Sequence, residues 1–334
     1  MFSSAPVSTP QHLRRRSLSA RTATILDRVA RDLAARLGTI TAPGLAAAVD
    51  ARMAELPAEV AEAVRPPGDD GAVIIDGLGV DDAELGPTPT GWQEAEAAGI
   101  GFAMILLLLA RSAGQPFGWR NQQRGRIVNT IVPAPGQEHT QTGAGSTVPL
   151  APHTEDAFHP RRAGLIMLGC LRNPDRVGTT VASVRRIRLD HDQRRLLAEP
   201  TLPILPDDSY GTAPDPEHEV PVPALWEGPD GPTLRFDPAY TPLDRAESHY
   251  RAAYDELTAE LDRVSVAAAL APGELLVIDN DVAVHGRVPF TARYDGTDRW
   301  LQRVNVRLPD RPRRPAEAAE TGYGEQVVEP FGGR

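Results

Sequence analysis

The chain has 334 residues, 41% hydrophobic and 24% charged, which is enough apolar material for a sizeable core in one elaborated domain. Its formal net charge of −10 argues against a nucleic-acid backbone or an anionic membrane as the main partner, because both recruit clustered positive charge. All 35 positive side chains are arginines, which excludes a Schiff-base lysine and a Walker-loop lysine, and the single cysteine excludes an intrachain disulfide and a multi-cysteine zinc site.

Near the N-terminus Arg14, Arg15 and Arg16 resemble the start of an export signal, but Arg21, Asp27 and Arg28 interrupt the apolar run such a signal needs. A cytoplasmic chain is expected. Ile25, Leu26, Val29, Leu33 and Leu37 recur at helical spacing and predict an amphipathic helix over 22–37. An alanine-rich helix is expected over 45–64, stopped by Pro66, Pro67 and Gly68, and a short strand over 72–75 ends at the turn pair Asp76 and Gly77. The apolar run from Ile100 to Ala110 is too short to span a bilayer and predicts a buried helix over 100–112.

Beyond that helix, short strand patterns separated by Gly, Pro and Asp fall at 126–132, 164–171, 179–184, 233–236, 274–279 and 299–308. Helical stretches at 190–198 and 244–270 interrupt them. Many short strands imply a mainly β sandwich or barrel with flanking helices. Cys170, between Gly169 and Leu171, reads as a buried, inert thiol. Residues 203–232 are rich in Pro, Asp and Gly and predict a lid or a disordered insert. The expected organisation is a core over 71–308, a helical N-terminal extension over 1–70, and a flexible tail over 309–334.

The sharpest local feature is Pro152-His153-Thr154-Glu155-Asp156. In a strand, residues two apart share a face at about 6.6 Å, so His153 and Glu155 could converge on one metal ion. A facial iron(II) site needs two such ligands and a third from elsewhere, with open positions for other molecules. Taken alone, this is equally a surface His beside an acid. His285 follows the 274–279 strand and offers the third ligand, or caps a turn. The 299–308 segment alternates so that Arg299 and Arg303 share a face, and Arg299, fourteen residues past His285, suits a bidentate carboxylate partner; solvated arginines on an edge strand are the plain alternative.

Taken together, these segments resemble the clavaminate synthase-like branch of the iron(II)/2-oxoglutarate oxygenases, which includes hydroxylases of free arginine, asparagine and lysine. The resemblance rests on His153-Thr154-Glu155-Asp156-Ala157-Phe158-His159-Pro160, on Cys170-Leu171-Arg172-Asn173-Pro174-Asp175 with Thr179-Thr180, and on His285-Gly286-Arg287 followed by Asp298-Arg299-Trp300-Leu301-Gln302-Arg303. It spans about residues 70 to 308 and implies a double-stranded β-helix, or jelly roll. It further implies iron(II) on His153, Glu155 and His285, 2-oxoglutarate held by Arg299 with Thr180 (or the adjacent Thr179), O₂ as oxidant, and Arg303 near a carboxylate of cosubstrate or substrate. Substrate contacts would come from Gln122, ranked ahead of Gln123, from Asp237 and from Glu155.

The activity so implied is hydroxylation of Cβ or Cγ of a free amino acid, with L-arginine or a relative favoured by Asp237, in specialised-metabolite or antibiotic biosynthesis. Asparagine, lysine and a carrier-bound amino acid are the alternatives. The segments 137–149 and 203–232 are the candidate lids. Two other classes fit less well: a zinc hydrolase, for which Asp156 is the only candidate base and Arg299 has no role, and a non-catalytic ligand-binding barrel.

Overall fold

The computed structural model describes residues 12–95, 99–211 and 219–332; parts of the expected N-terminal extension (1–11), lid (212–218) and tail (333–334) lie outside the described residues. In chain order, strand β1 (Arg14–Ser17) is followed by helices α1 (Ala20–Leu37), α2 (Leu45–Asp50) and α3 (Ala58–Ala63), strand β2 (Ala72–Asp76), and helices α4 (Asp82–Leu85) and α5 (Ile100–Ala113). Strands β3 (Gln115–Trp119), β4 (Val128–Ile131), β5 (Leu150–His153), β6 (Leu165–Arg172) and β7 (Thr179–Ser183) lead to helix α6 (His191–Leu197). The hairpin β8 (Leu225–Gly228) and β9 (Gly231–Leu234), helix α7 (Ser248–Val264), and strands β10 (Val266–Ala268), β11 (Leu275–Asp279), β12 (Ala283–Arg287), β13 (Trp300–Arg307) and β14 (Val327–Val328) complete it.

Two sheets form the barrel. The larger runs β1-β2-β11-β6-β13-β3-β14, with β4 also on β13, and the smaller runs β10-β7-β12-β5. This is the jelly roll with flanking helices that the sequence implied. Ser19 caps α1 by accepting from the Thr22 amide, and Gly38 ends it in the left-handed conformation. Helix α5 is buried on every side from Phe102 to Arg111, against the outer face of the large sheet. That contact requires Gly169, since a Cβ there would sit 2.5 Å from the Phe102 ring.

Several expectations are corrected. The helix predicted over 45–64 is two short helices, because Pro57 lacks an amide donor and holds Leu56 extended at φ −80°, ψ 134°. The stretch 203–232 contains strand β8 and half of a tight hairpin, with Gly228 paired to Gly231 around Pro229-Asp230. The helix expected over 244–270 ends at Val264, and Val266–Ala268 joins β7 instead. Strand β1 escaped notice because it reads Arg-Arg-Arg-Ser; it pairs parallel to β2, with its guanidiniums on the Pro67 and Ala63 carbonyls, Asp76 and Glu274.

The tail, expected to be flexible, packs on the barrel up to Gly332. Phe331 is fully buried, and β14 extends β3. Glu317, 2% exposed, receives Arg162 at 2.8 Å and Arg235 at 3.5 Å, while Arg311 and Arg313 reach Asp279 and Asp281. The pairing distances in sequence exceed 150 residues for Arg162 and Glu317. No helix among the described residues is long and apolar enough to cross a membrane.

Candidate active site

Strands β5 and β12 are antiparallel neighbours, and their register sets His153 directly opposite His285. Gly286 makes this possible, because a Cβ at that position would lie 2.4 Å from the Leu150 carbonyl oxygen. The His153 Nδ1–H donates to the Ala151 carbonyl at 2.9 Å, which makes Nε2 the ligand atom of the neutral ring and turns it toward Glu155. Glu155 is not a strand residue as the two-apart geometry assumed. The ladder ends at His153; the Thr154 amide then donates to Phe236, and Asn280 accepts from the Glu155 amide at 2.8 Å while donating to its carbonyl at 3.0 Å. Asp156 follows at φ 52°, and this sharp turn carries the Glu155 carboxylate inward.

The Glu155 Oε2 lies 3.3 Å from His285 Nε2 and 3.7 Å from His153 Nε2, and one ligand atom from each residue falls within 4.8 Å of the others. That oxygen is buried and has no hydrogen-bond donor among the described residues, whereas Oε1 is paired with Arg303. A buried carboxylate oxygen facing two imidazole nitrogens is satisfied by a cation, so the donor set fits iron(II). Burial pushes the Glu155 carboxyl up, but Arg303 and the imidazoles outweigh it and hold it well below the usual carboxylate range. Burial and the neighbouring His153 lower His285. Burial also opposes charge on His153, yet Glu155 and Asp237 raise it to about 9.

A cavity of about 530 Å³ opens on this cluster and is lined from both sheets, by His153, Thr179 and His285 on one side and Leu168, Leu301 and Arg303 on the other. Arg299 lines it as well, so Arg299 and Arg303 share a chamber as their alternation on β13 predicted. Arg299 is 7% exposed; its Nη2 donates to Thr179 Oγ1 at 2.9 Å, and its Nε has no partner among the described residues. Burial, reinforced by nearby Arg287, lowers its pKa to about 10. A buried guanidinium without a carboxylate calls for an anionic ligand, so this end fits the distal carboxylate of 2-oxoglutarate.

The hydroxyl beside Arg299 belongs to Thr179, not to the favoured Thr180. Successive strand residues face opposite ways, so Thr179 lines the cavity while the Thr180 hydroxyl lies against the Gly286 backbone. Gln122 lines the cavity and accepts from Arg303 at 2.7 Å; Gln123 is committed to both backbone groups of Thr130. Asp237 is half-buried close to His153, and loss of solvation raises it to about 6, but it does not itself line the cavity. Residues 137–144 line one wall, and Asp207 and Ser209 contribute from the 203–232 segment, so both candidate lids border the chamber.

Sequence reasoning assigned no role to Asp207 or Asn280, and it quoted Arg287 only within the His285-Gly286-Arg287 motif without foreseeing its place beside Arg299. Asp156, the only base available to a zinc hydrolase, turns away from the chamber and accepts from Trp119, Asn305 and Tyr210.

What the fold and this set of donors define together is an iron(II)- and 2-oxoglutarate-dependent dioxygenase. Residues 48–305 match the family described as taurine catabolism dioxygenase TauD, TfdA family, and the chain belongs to it. It is similar to the enduracididine beta-hydroxylase of Streptomyces hygroscopicus, 36% identical over 89% of this chain and 95% of that one. It is also similar to the L-asparagine oxygenase of Streptomyces coelicolor, 41% identical over 78% and 77%. Among solved structures, the non-haem iron oxygenase OrfP in complex with iron, succinate and (3R,4R)-dihydroxy-L-arginine superposes at a TM-score of 0.79, with 35% identity over 87% of this chain and 93% of that one.

Proposed function

We propose that the protein hydroxylates Cβ or Cγ of a free amino acid with a cationic, arginine-like side chain, using His153, Glu155 and His285 as iron ligands and Arg299 with Thr179 as the 2-oxoglutarate clamp. The observation that carries this reading is the pairing, in one chamber, of a donorless Glu155 oxygen facing two imidazole nitrogens with an uncompensated buried guanidinium. Iron and 2-oxoglutarate, when bound, supply O₂ activation and hydroxyl delivery to an unactivated C–H bond, with succinate and CO₂ as the co-products.

The chain's own residues bind and orient. Arg303 neutralises Glu155 and holds its Oε1, so that Oε2 alone is offered to the metal. Gln122 stands on Arg303 and presents a polar group for the amino-acid backbone. Asp207 on the chamber wall and Asp237 near His153 place two carboxylates without an ion-pair partner among the described residues at this end, which favours a cationic side chain over a neutral amide. The likeness to an enduracididine hydroxylase and to OrfP supports the arginine-like choice, and the likeness to an asparagine oxygenase makes asparagine the first alternative. The bordering segments 137–144 and 207–209 exclude water from the chamber. We take the barrel with its packed residues 311–332 as one catalytic domain.

Anaerobic titration of the ferrous protein with 2-oxoglutarate should develop the weak visible absorption of the chelate. Aerobic incubation with arginine, a cyclic guanidino amino acid, lysine and asparagine should then give succinate and a one-oxygen mass gain, greatest for the guanidino compounds. An absent chelate band together with no oxidised product from any of the four would sink the reading.

A further inference from the structure

Asp156 is a buried carboxylate, 8% exposed, that the reaction does not use, yet three donors from three separate elements converge on it. Trp119 Nε1 on β3 donates to Oδ2 at 2.7 Å and Asn305 Nδ2 on β13 to the same oxygen at 2.9 Å, while the Tyr210 hydroxyl donates to Oδ1. The first two belong to the large sheet. Tyr210 comes from the connecting segment 203–211, which among the described residues is also held at its start, by the buried Ile204 side chain, by the Leu205 amide on the Tyr240 carbonyl, and by the Ile204 carbonyl, which accepts from the Tyr323 hydroxyl.

The Tyr210 ring is 3% exposed and packs edge-on against Phe158, with centroids 4.8 Å apart. The residues just before it line the chamber. Asp207 holds the turn by accepting from the Ser209 amide at 2.7 Å, and the Tyr210 amide closes it on the Asp207 carbonyl at 3.2 Å. Through Asp156, Tyr210 therefore fastens the wall that carries Asp207 and Ser209 to the residue next to Glu155. Arg299, immediately before β13, and Thr179, on β7, lie elsewhere and share no hydrogen-bond partner with this segment among the described residues.

We infer that Tyr210 is a positioning residue for the amino-acid substrate: its bond to Asp156 sets the 207–210 wall against the bound side chain without contributing to cosubstrate binding. This rests on the proposed hydroxylation for its kinetic reading, but not for its structural one. The test is Tyr210→Phe, which keeps the ring among Phe158 and Trp119 and removes only the hydroxyl.

Loss of the hydroxyl's hydrogen bond to the buried Asp156 carboxyl should raise KM for the amino acid about fivefold. The anaerobic 2-oxoglutarate affinity should stay within about twofold of the native value, as expected for a site with no shared partners. More 2-oxoglutarate should be consumed per hydroxylated product, because a loosened wall holds the target carbon less well. An unchanged KM, or a KM and a 2-oxoglutarate affinity that fall off together, overturns the inference.

Amide hydrogen exchange over 203–211 provides a readout that needs no turnover. Exchange should be faster in Y210F than in the native protein, and equal exchange overturns the inference by itself. If the native protein binds no 2-oxoglutarate, the proposed hydroxylation fails, while the exchange comparison still decides whether Tyr210 fastens the wall.

Discussion

Replacing Arg299 by methionine tests the cosubstrate assignment with opposite signs for affinity and stability. The guanidinium is buried, its Nη2 is held by Thr179, and its Nε has no partner, so no carboxylate among the described residues is paired with it. If the distal carboxylate of 2-oxoglutarate is the missing partner, removing the cation strands that anion opposite one hydroxyl. Breaking such a buried pair costs about 3–5 kcal/mol. At about 1.4 kcal/mol per factor of ten, 2-oxoglutarate affinity should fall by roughly two to three and a half powers of ten. Folding should respond the other way: the ligand-free native state loses an uncompensated buried charge and keeps a side chain of similar length, so its Tm should hold or rise. The assay is anaerobic titration of the ferrous protein by the visible chelate band, with thermal unfolding run with and without 2-oxoglutarate. The ligand-induced gain in Tm should vanish in the variant. An affinity within about threefold of native, under 1 kcal/mol, would refute the assignment of Arg299 as the clamp.

Thr179→Val removes the acceptor beside Arg299 and should weaken 2-oxoglutarate about fivefold in the same titration, near 1 kcal/mol, whereas Thr180→Val should leave it unchanged. Glu317→Ala leaves Arg162 with Asp281 at 3.6 Å and Arg235 with Glu320 at 2.7 Å, and the lost charged hydrogen bond should lower the unfolding free energy by about 1.5–3 kcal/mol in urea titrations at unchanged m. His159 is held neutral by burial, with its pKa lowered from 6.5 to about 4. A depressed pKa contributes stability that is complete above about 6.5 and is lost as pH falls toward 4, here about 3 kcal/mol. Urea midpoints at pH 7 and pH 4.5 should differ more for the native chain than for His159→Gln, and equal differences would remove His159 as the cause.

The metal cluster was legible because its chemistry is carried by residue type and order: two histidines, a glutamate and a following arginine read the same whatever backbone bears them. The β13 alternation was legible because a period of two is a physical property of extended chain. What failed depended on geometry at single-residue resolution. Thr179 and Thr180 are chemically identical neighbours, and only the register of β7 against β12 decides which one meets Arg299. Glu155 was placed on a strand that stops two residues earlier, because the bonds that end the ladder come from Phe236 and Asn280, more than 80 residues away. Strand β1 and the tail were hidden for a related reason. Their stability lies in arginine–carboxylate and carbonyl contacts to distant segments, so their local composition reads as signal peptide or disorder.

The two arginines of the chamber show how partner sets separate scaffold from ligand site. Arg303 has its charge met inside the protein: Glu155 pairs with it, and Gln122 and Asn129 accept from Nη2 at 2.7 and 3.3 Å, although its Nε, like that of Arg299, has no hydrogen-bond partner among the described residues. Arg299, immediately before β13, has the same chemistry and is more deeply buried, with one neutral hydroxyl as its hydrogen-bond partner among the described residues and a second cation, Arg287, close enough to depress its pKa. Arg287 gives its own donors to the Gly145 and Val148 carbonyls and so brings no negative charge to the pair. Folding alone has no reason to keep a guanidinium in such surroundings, since a hydrocarbon of equal volume would be at least as stable there. An anion that arrives with the reaction would account for its presence, and the proposed clamp sets that anion beside the Thr179 hydroxyl, where no carboxylate among the described residues is paired with the guanidinium.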